Sequence, residues 1–185
     1  MRECGFGEID GSACKKGIGG VLRTAGAKSS VITDVTFDAD GQVTAFSVSG
    51  ADGFKSVRWA DNSTATFTES EQTRDNDTHM GEFIGNLYGV QNEFTQWADD
   101  VSSCCEGVVL VHEMANGSLR VQGIEYLGTT APTWRFSVKK TLVFTGTNHG
   151  TTDTKAVTTI KAESVTEYHA PFVANSLSFD DIVDL

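Results

Sequence analysis

Four cysteines are the first residues of this sequence that could bind a metal. They are Cys4, Cys14, Cys104 and Cys105, the number of thiolates that a structural zinc ion takes. Nine residues separate the first two and the last two are adjacent, which does not fit a zinc knuckle. Because the N-terminal residues show no export signal, we interpret all four as reduced thiols and expect no metal site.

The four histidines are dispersed along the chain: His79, His112, His149 and His169. His112 precedes Glu113 in a predicted strand, where adjacent side chains point to opposite faces, so the pair is not a helical zinc-protease motif. No G-x-S-x-G motif occurs, and in the glycine-rich stretch 11–20 the lysines precede the late glycines, unlike in a phosphate-binding loop. We therefore predict a structural or binding protein without a cofactor, rather than an enzyme.

The amino-acid composition further narrows the class of protein to which this chain can belong. The 185 residues include 14 Lys and Arg against 25 Asp and Glu, a net charge of −11. An acidic protein is poorly suited to clamp nucleic acid, because neutralising phosphates requires a basic surface. No apolar run approaches the ~20 residues of a membrane-spanning helix. We expect a globular protein, made in a cytoplasm, with no membrane partner.

Alternating apolar residues and turn signals predict a mainly β fold of about eight strands, a β-sandwich or small barrel. A hairpin is predicted at 31–37 and 42–48, and another at 107–113 and 118–126 around Asn116-Gly117, a strong hairpin signal. The remaining predicted strands are a pair at 54–60 and 63–70, a long strand at 134–146, and a strand at 155–163.

One flanking α-helix is predicted at about 86–101. Its apolar residues follow one another at steps of four, three, four, three and four, which places them on a single helical stripe: Phe83, Leu87, Val90, Phe94, Trp97 and Val101. Asn86 is the predicted N-cap. The stripe lasts under three heptads, which favours a helix packed on a sheet over a coiled coil.

The predicted domain organisation has three parts. An N-terminal arm covers residues 1–30, the β-sandwich domain covers 31–163, and a C-terminal arm covers 164–185. Within the domain, residues 70–82 form a polar stretch that we interpret as either a floppy tip or a contact element, since long structureless loops are uncommon inside compact domains.

The order of these elements resembles the latter half of bacteriophage tail tube proteins. The residues that carry the resemblance follow the predicted helix: Val108–Val111, Asn116-Gly117, Gly123–Tyr126 and Gly146. The stretch CKKGIGGVLRT, with the hairpin after it, also resembles the start of structural proteins from phages of Bacteroidetes hosts.

The resemblance implies a virion protein that forms stacked hexameric rings around a channel, next to sheath, terminator or baseplate proteins. Genome DNA would pass through without specific binding, so the excess acids would face the lumen, with Lys and Arg at subunit contacts. By position, residues 70–82 would be the inter-ring loop, and both arms would order against neighbours. The implied subunit contacts are Arg74, Asp75, Asp77, His79, Phe6, Ile18, Phe172, Leu177 and Phe179.

Three alternatives stay open. The chain could be a head-to-tail connector or another ring protein of the virion. It could be a carbohydrate- or receptor-binding β-sandwich, which exposed aromatic residues such as Trp59 and Trp134 on one surface would favour. An enzyme would need a pocket that brings a histidine to a carboxylate or a thiol.

Overall fold

A computed structural model describes residues 20–50, 53–59, 65–72, 78–88, 107–137, 139–148 and 157–185. The fold is mainly β and sandwich-like, with one short helix among these residues, so the predicted fold class is confirmed. The strands, in chain order, are β1 (Val21–Lys28), β2 (Ile32–Phe37), β3 (Val43–Val48), β4 (Lys55–Arg58), β5 (Ala65–Gln72), β6 (Thr78–Tyr88), β7 (Val108–Met114), β8 (Leu119–Gln122), β9 (Ile124–Tyr126), β10 (Trp134–Phe136), β11 (Lys139–Asn148) and β12 (Val157–Thr166). The helix is α1 (Phe179–Val183), and no helix in the described ranges is long and apolar enough to cross a membrane.

The central sheet is antiparallel, with the strand order β4-β1-β7-β8. Its strand β7 carries five consecutive buried residues, because layers cover both faces of the sheet. Val109 and Val111 belong to the core on one face, and Val108 and Leu110 to the core on the other.

The outer sheet has the order β11-β12-β6-β5 and covers one face of the central sheet. The core between the two sheets consists of Val21, Val57, Trp59, Ala65, Phe83, Val108, Leu110, Ile160 and Ala162. Gly85 of β6 is needed at this interface, because an added Cβ would lie 2.5 Å from the Trp59 ring. The opposite face of the outer sheet carries charged residues, and there Lys161 pairs with Glu82 at 2.6 Å and with Glu163 at 3.1 Å.

The other face of the central sheet is covered by the β2–β3 hairpin, by β9, and by the C-terminal segment (residues 167–185) with α1. Apolar side chains from all these parts form the second core with the central sheet: Ala25, Ala27, Ile32, Val35, Val43, Phe46, Phe54, Val109, Val111, Leu119, Val121, Ile124, Val173, Phe179 and Ile182. Helix α1 begins with a capping box, in which the Ser178 hydroxyl accepts from the Asp181 N–H and the Asp181 carboxylate accepts from the Ser178 N–H.

The structure corrects the predicted boundaries of both arms. Residues 21–28 form β1, an internal strand of the central sheet, so the N-terminal arm does not extend to residue 30. Residues 164–166 belong to β12, and the segment after it is packed on its own chain. The scattered apolar residues of this segment suggest an arm, but Val173, Phe179 and Ile182 belong to the core between the hairpin and the central sheet.

The predicted helix at 86–101 is wrong at its start. Residues 86–88 are the end of β6, and the remainder of the prediction lies outside the described residues. In β6, Gly81, Phe83 and Gly85 are buried while Glu82, Ile84 and Asn86 alternate with them at intermediate exposure. Phe83 and Leu87 are four residues apart, a spacing that fits the two-residue period of a strand as well as a helical turn.

Candidate functional site

A buried polar network connects the two sheets at His112. The imidazole is fully buried and lies between the rings of Phe67 and Phe83, with centroid distances of 4.9 and 4.5 Å. Its Nδ1 is 3.1 Å from the Thr24 hydroxyl, and its Nε2 is 3.1 Å from Oε1 of Gln122. The His112 side chain therefore connects three strands of the central sheet, β1, β7 and β8, to the outer sheet.

The hydrogen bonds of this network define the tautomer of His112. Trp59 Nε1 donates to the Thr24 hydroxyl at 2.9 Å, which leaves the hydroxyl hydrogen for Nδ1 of His112. The Nε2–H then donates to Gln122, whose amide nitrogen donates to the carbonyls of Gly81 (3.1 Å) and Ala162 (3.2 Å). Burial lowers the pKa of His112 to about 4, so the ring is neutral at pH 7 and serves as a structural connector.

A carboxylate on β5 holds the C-terminal segment against the outer sheet. Glu69 forms an ion pair with Arg120, and its Oε1 accepts from the Ala170 N–H at 2.6 Å. The side chains of Glu69 and Arg120 are only 16% and 14% exposed, which makes their attraction stronger than that of a surface pair. The Arg120 guanidinium also lies 4.0 Å from the centroid of the Phe172 ring, a cation–π contact that covers the edge of the central sheet.

Two histidines meet beside this carboxylate. The rings of His79 and His169 have centroids 4.0 Å apart, and His169 Nδ1 is 3.7 Å from Oε1 of Glu69. Within the described residues, Nδ1 of His79 is buried without a hydrogen-bond partner. The arrangement brings a histidine close to a carboxylate, but Arg120 and the Ala170 amide already occupy that carboxylate.

A cavity of about 380 Å³ lies next to the histidine pair. The walls come from the β2–β3 turn, residues 126–130 and residues 168–171; the lining side chains with polar groups are His79, Tyr126, Thr129, Thr130, Tyr168 and His169. This volume lies within the range of small-molecule sites, which begins at roughly 300 Å³.

The fully buried carboxylate of Glu125 fixes the wall of this cavity (hereafter the His79–His169 cavity). It accepts from Arg135 Nε at 2.7 Å and from the backbone N–H groups of Glu167 and Tyr168, the latter at 3.1 Å. Arg135 also lies 2.9 Å from the Glu167 carboxylate. Since these bonds tie β9 and β10 to the start of the C-terminal segment, the cavity is formed before any ligand arrives.

The predicted contact residues have different locations in the structure. Phe6, Ile18, Arg74, Asp75 and Asp77 lie outside the described residues, as do all four cysteines. His79 lies in strand β6 rather than in a loop, because most of the stretch 70–82 belongs to the β5–β6 hairpin.

The three predicted contact residues in the C-terminal segment differ in how exposed their side chains are. Phe179 is 3% exposed and Leu177 packs against the same core, so the Phe179 side chain is covered by its own chain and its role as a subunit contact stays a prediction. Phe179 is buried because Arg23 lies 4.3 Å above its ring and α1 packs it onto β1. Phe172 remains 47% exposed and is available to a neighbour.

Sequence reasoning missed Glu69, Arg120 and Glu125. Arg120 and Glu125 are charged residues between apolar neighbours of a strand, whereas Glu69 lies between Thr68 and Ser70. A charged residue is seldom fully buried unless it is paired. The signal for Glu125 was its position inside the apolar run Gly123–Tyr126. The partner residues are far away in the sequence, so no local pattern could identify them.

In the part of the chain that the structure describes, no three His, Cys, Asp or Glu side chains form a metal site. The sequence matches no known protein family, and no curated protein or solved structure is similar to the chain. The function must therefore be inferred from the geometry of the fold and of the His79–His169 cavity.

Proposed function

We propose that this chain is the subunit of a bacteriophage tail tube, which assembles into stacked hexameric rings around a DNA-conducting channel. The observation that carries the proposal is the open outer sheet. Its edge strands β5 and β11 each have a partner on one side only within the described residues. An edge strand presents unpaired backbone groups that can pair with another chain.

Two different edges on one sheet favour a ring. If β11 of one copy pairs with β5 of the next, the contact is head-to-tail, and such contacts close into rings when the rotation permits. The central sheet is less suited to such pairing, because residues 171–173 cover its edge strand β8. The Val121 N–H donates to the Pro171 carbonyl, and the Val173 N–H donates to the Leu119 carbonyl. The outer sheet is thus the better candidate for the ring contact.

The outer face of this sheet suits a channel wall. Strand β6 has 11 residues, which is roughly 37 Å of extended chain. Its outward side chains are polar or of intermediate exposure, and Glu82 and Glu163 lie there beside Lys161. Carboxylates that face a channel repel phosphate, so DNA can move past them without being held.

The two tryptophans that would favour the binding-module alternative do not form an exposed aromatic surface. Trp59 is 4% exposed and donates to Thr24 within the core. Trp134 is half-buried, lies 5.1 Å from Phe136 between ring centroids, and donates to Asp34. Neither tryptophan is an exposed platform.

The test is assembly of the full chain over a range of concentrations. We expect native mass spectrometry to give six copies per ring, and negative-stain microscopy to show tubes. Amide exchange should slow in β5 and β11 on assembly, while amides of the internal strands β1 and β7 serve as the control because they are already paired.

A protein that stays monomeric at all concentrations would contradict the proposal. Assembly without new protection in β5 and β11 would contradict the edge contact on which the proposal depends. Single rings that never stack would favour a head-to-tail connector instead.

A further inference from the structure

We propose that the His79–His169 cavity binds a neutral carbohydrate of one or two sugar rings. The proposal concerns a site distinct from the edges of the outer sheet and does not depend on ring assembly. It depends on the charge, the aromatic faces and the rigidity of the residues that line the cavity.

The lining is uncharged in a strongly acidic protein. None of the eleven described residues that line the cavity is Asp, Glu, Lys or Arg, although the chain carries a net charge of −11. A phosphate or carboxylate ligand is usually held by Arg or Lys, and a hard cation by carboxylates. The adjacent carboxylates Glu69 and Glu125 are engaged by Arg120 and Arg135. The lining chemistry therefore selects a ligand without charge.

Aromatic rings supply the apolar part of the site. Tyr126, Tyr168, His79 and His169 are among the lining residues, and each has a flat ring that carries a polar atom. A pyranose has the complementary chemistry, with C–H groups on its faces and hydroxyl groups around its edge. Tyr126 is held by the Phe37 ring, whose centroid is 4.8 Å away. Tyr168 is 46% exposed, so a ligand can reach it from solvent.

Hydroxyl groups at the cavity mouth match the hydroxyls of a sugar. Thr129 and Thr130 are exposed, and each carries a hydroxyl that can donate one hydrogen bond and accept two. Sugar hydroxyls have the same capacity, so either partner can take either role.

Hydrogen bonds hold the backbone walls of the cavity in place. Glu125 holds the backbone at Glu167 and Tyr168, and the Leu127 N–H donates to the Thr133 carbonyl at 2.8 Å. A preformed site avoids the entropic cost of ordering its loops on binding.

The experiment uses the full chain on an array of neutral gluco-, galacto- and manno-oligosaccharides, followed by calorimetry with the best binder and with inorganic phosphate. We expect saturable binding of at least one neutral oligosaccharide. Tyr168→Ala should weaken it about tenfold, because it removes an aromatic wall. This variant keeps the backbone N–H of residue 168, which donates to the Glu125 carboxylate. Thr129→Val, which removes one hydroxyl, should weaken binding as well.

Leu185→Ala is the matched control, because Leu185 is also an exposed apolar residue (43%) but lies outside the cavity lining. Its affinity should equal that of the unaltered chain. Binding of inorganic phosphate alone would overturn the proposal, as would the absence of any neutral binder. Equal effects of Tyr168→Ala and Leu185→Ala would place the ligand elsewhere and overturn it too.

Discussion

The imidazole of His112 connects the sheets, and its environment makes the stability of the fold depend on pH. All of its hydrogen bonds are satisfied by the neutral ring, with Thr24 donating to one nitrogen and Gln122 accepting from the other. A proton added at Nδ1 would be buried between two phenylalanine rings. Desolvation therefore opposes the charged form.

We predict that the free energy of unfolding falls by about 3 kcal/mol between pH 6.5 and 4 because of this residue. In the unfolded chain the histidine takes a proton near its ordinary pKa of 6.5, whereas burial lowers its pKa to about 4 in the fold. Between these values the unfolded state binds more protons, so acid favours unfolding. Well above pH 6.5 the imidazole is neutral in both the folded and the unfolded chain, so His112 adds no pH dependence to the free energy of unfolding.

Urea unfolding at several pH values measures this effect. The variant His112→Gln should be less stable at pH 7, but its free energy of unfolding should lack the pH dependence that comes from His112. The control is His169→Gln, because the His169 side chain is 70% exposed and its removal should leave that slope in place. If the unaltered chain and His112→Gln show the same pH dependence, the buried neutral imidazole is not its cause.

At the scale of elements, local patterns predicted hairpins well and long-range pairing poorly. The hairpins β2–β3 and β7–β8 are confirmed, the latter with Gly117 N–H donating to Met114 O at 2.8 Å across the turn. The predicted pairing of 54–60 with 63–70 is wrong, since β4 pairs with β1 and β5 pairs with β6. The residues of β1 lie within the predicted N-terminal arm, so the sequence does not predict that β4 pairs with β1.

The long strand predicted at 134–146 is divided between two sheets. Strand β10 pairs with β9, and β11 pairs with β12. In the sequence the alternation of apolar and polar residues continues from Trp134 to Phe144 without marking the change of sheet. The Ser137 N–H donates to the Gly123 carbonyl at 3.0 Å, a contact between distant residues that no local pattern predicts. The His79–His169 cavity was missed for the same reason, because its walls come from separate parts of the chain.

We predict that Glu69→Gln loosens the C-terminal segment and lowers the free energy of unfolding by about 2–3 kcal/mol. The substitution leaves Arg120 largely buried without its carboxylate and weakens the bond to the Ala170 N–H. Amide exchange at Ala170 should accelerate more than exchange at Val173, whose N–H donates to the Leu119 carbonyl.

Lys161→Met is the control for the loss of an ion pair. Lys161 pairs with Glu82 and Glu163 on the outer face of the outer sheet, where solvent screens the attraction, so stability should change much less than in Glu69→Gln. Equal losses in Glu69→Gln and Lys161→Met would show that burial does not strengthen the Glu69–Arg120 pair.

For the whole molecule, the charge of −11 links the fold to the proposed tube. The acids are needed where DNA passes, and the outer sheet offers Glu82 and Glu163 on the face that is not buried by the central sheet. If this face lines the channel, its charge should decide whether DNA is held. Charge placed elsewhere on the molecule should matter much less, since screening confines the effect to about 10 Å at 0.1 M salt.

We predict that tubes of the double variant Glu82→Lys, Glu163→Lys retain duplex DNA about tenfold more tightly than unaltered tubes at 0.1 M salt, because lysines replace repulsion of phosphate by attraction. The matched control is Asp40→Lys, Asp184→Lys, which changes the net charge by the same amount at exposed positions outside the outer sheet. Co-sedimentation of tubes with duplex DNA measures retention, and thermal unfolding confirms that both variants are folded. Equal retention by the two variants would mean that net charge alone governs binding and that the outer face of this sheet does not line the channel.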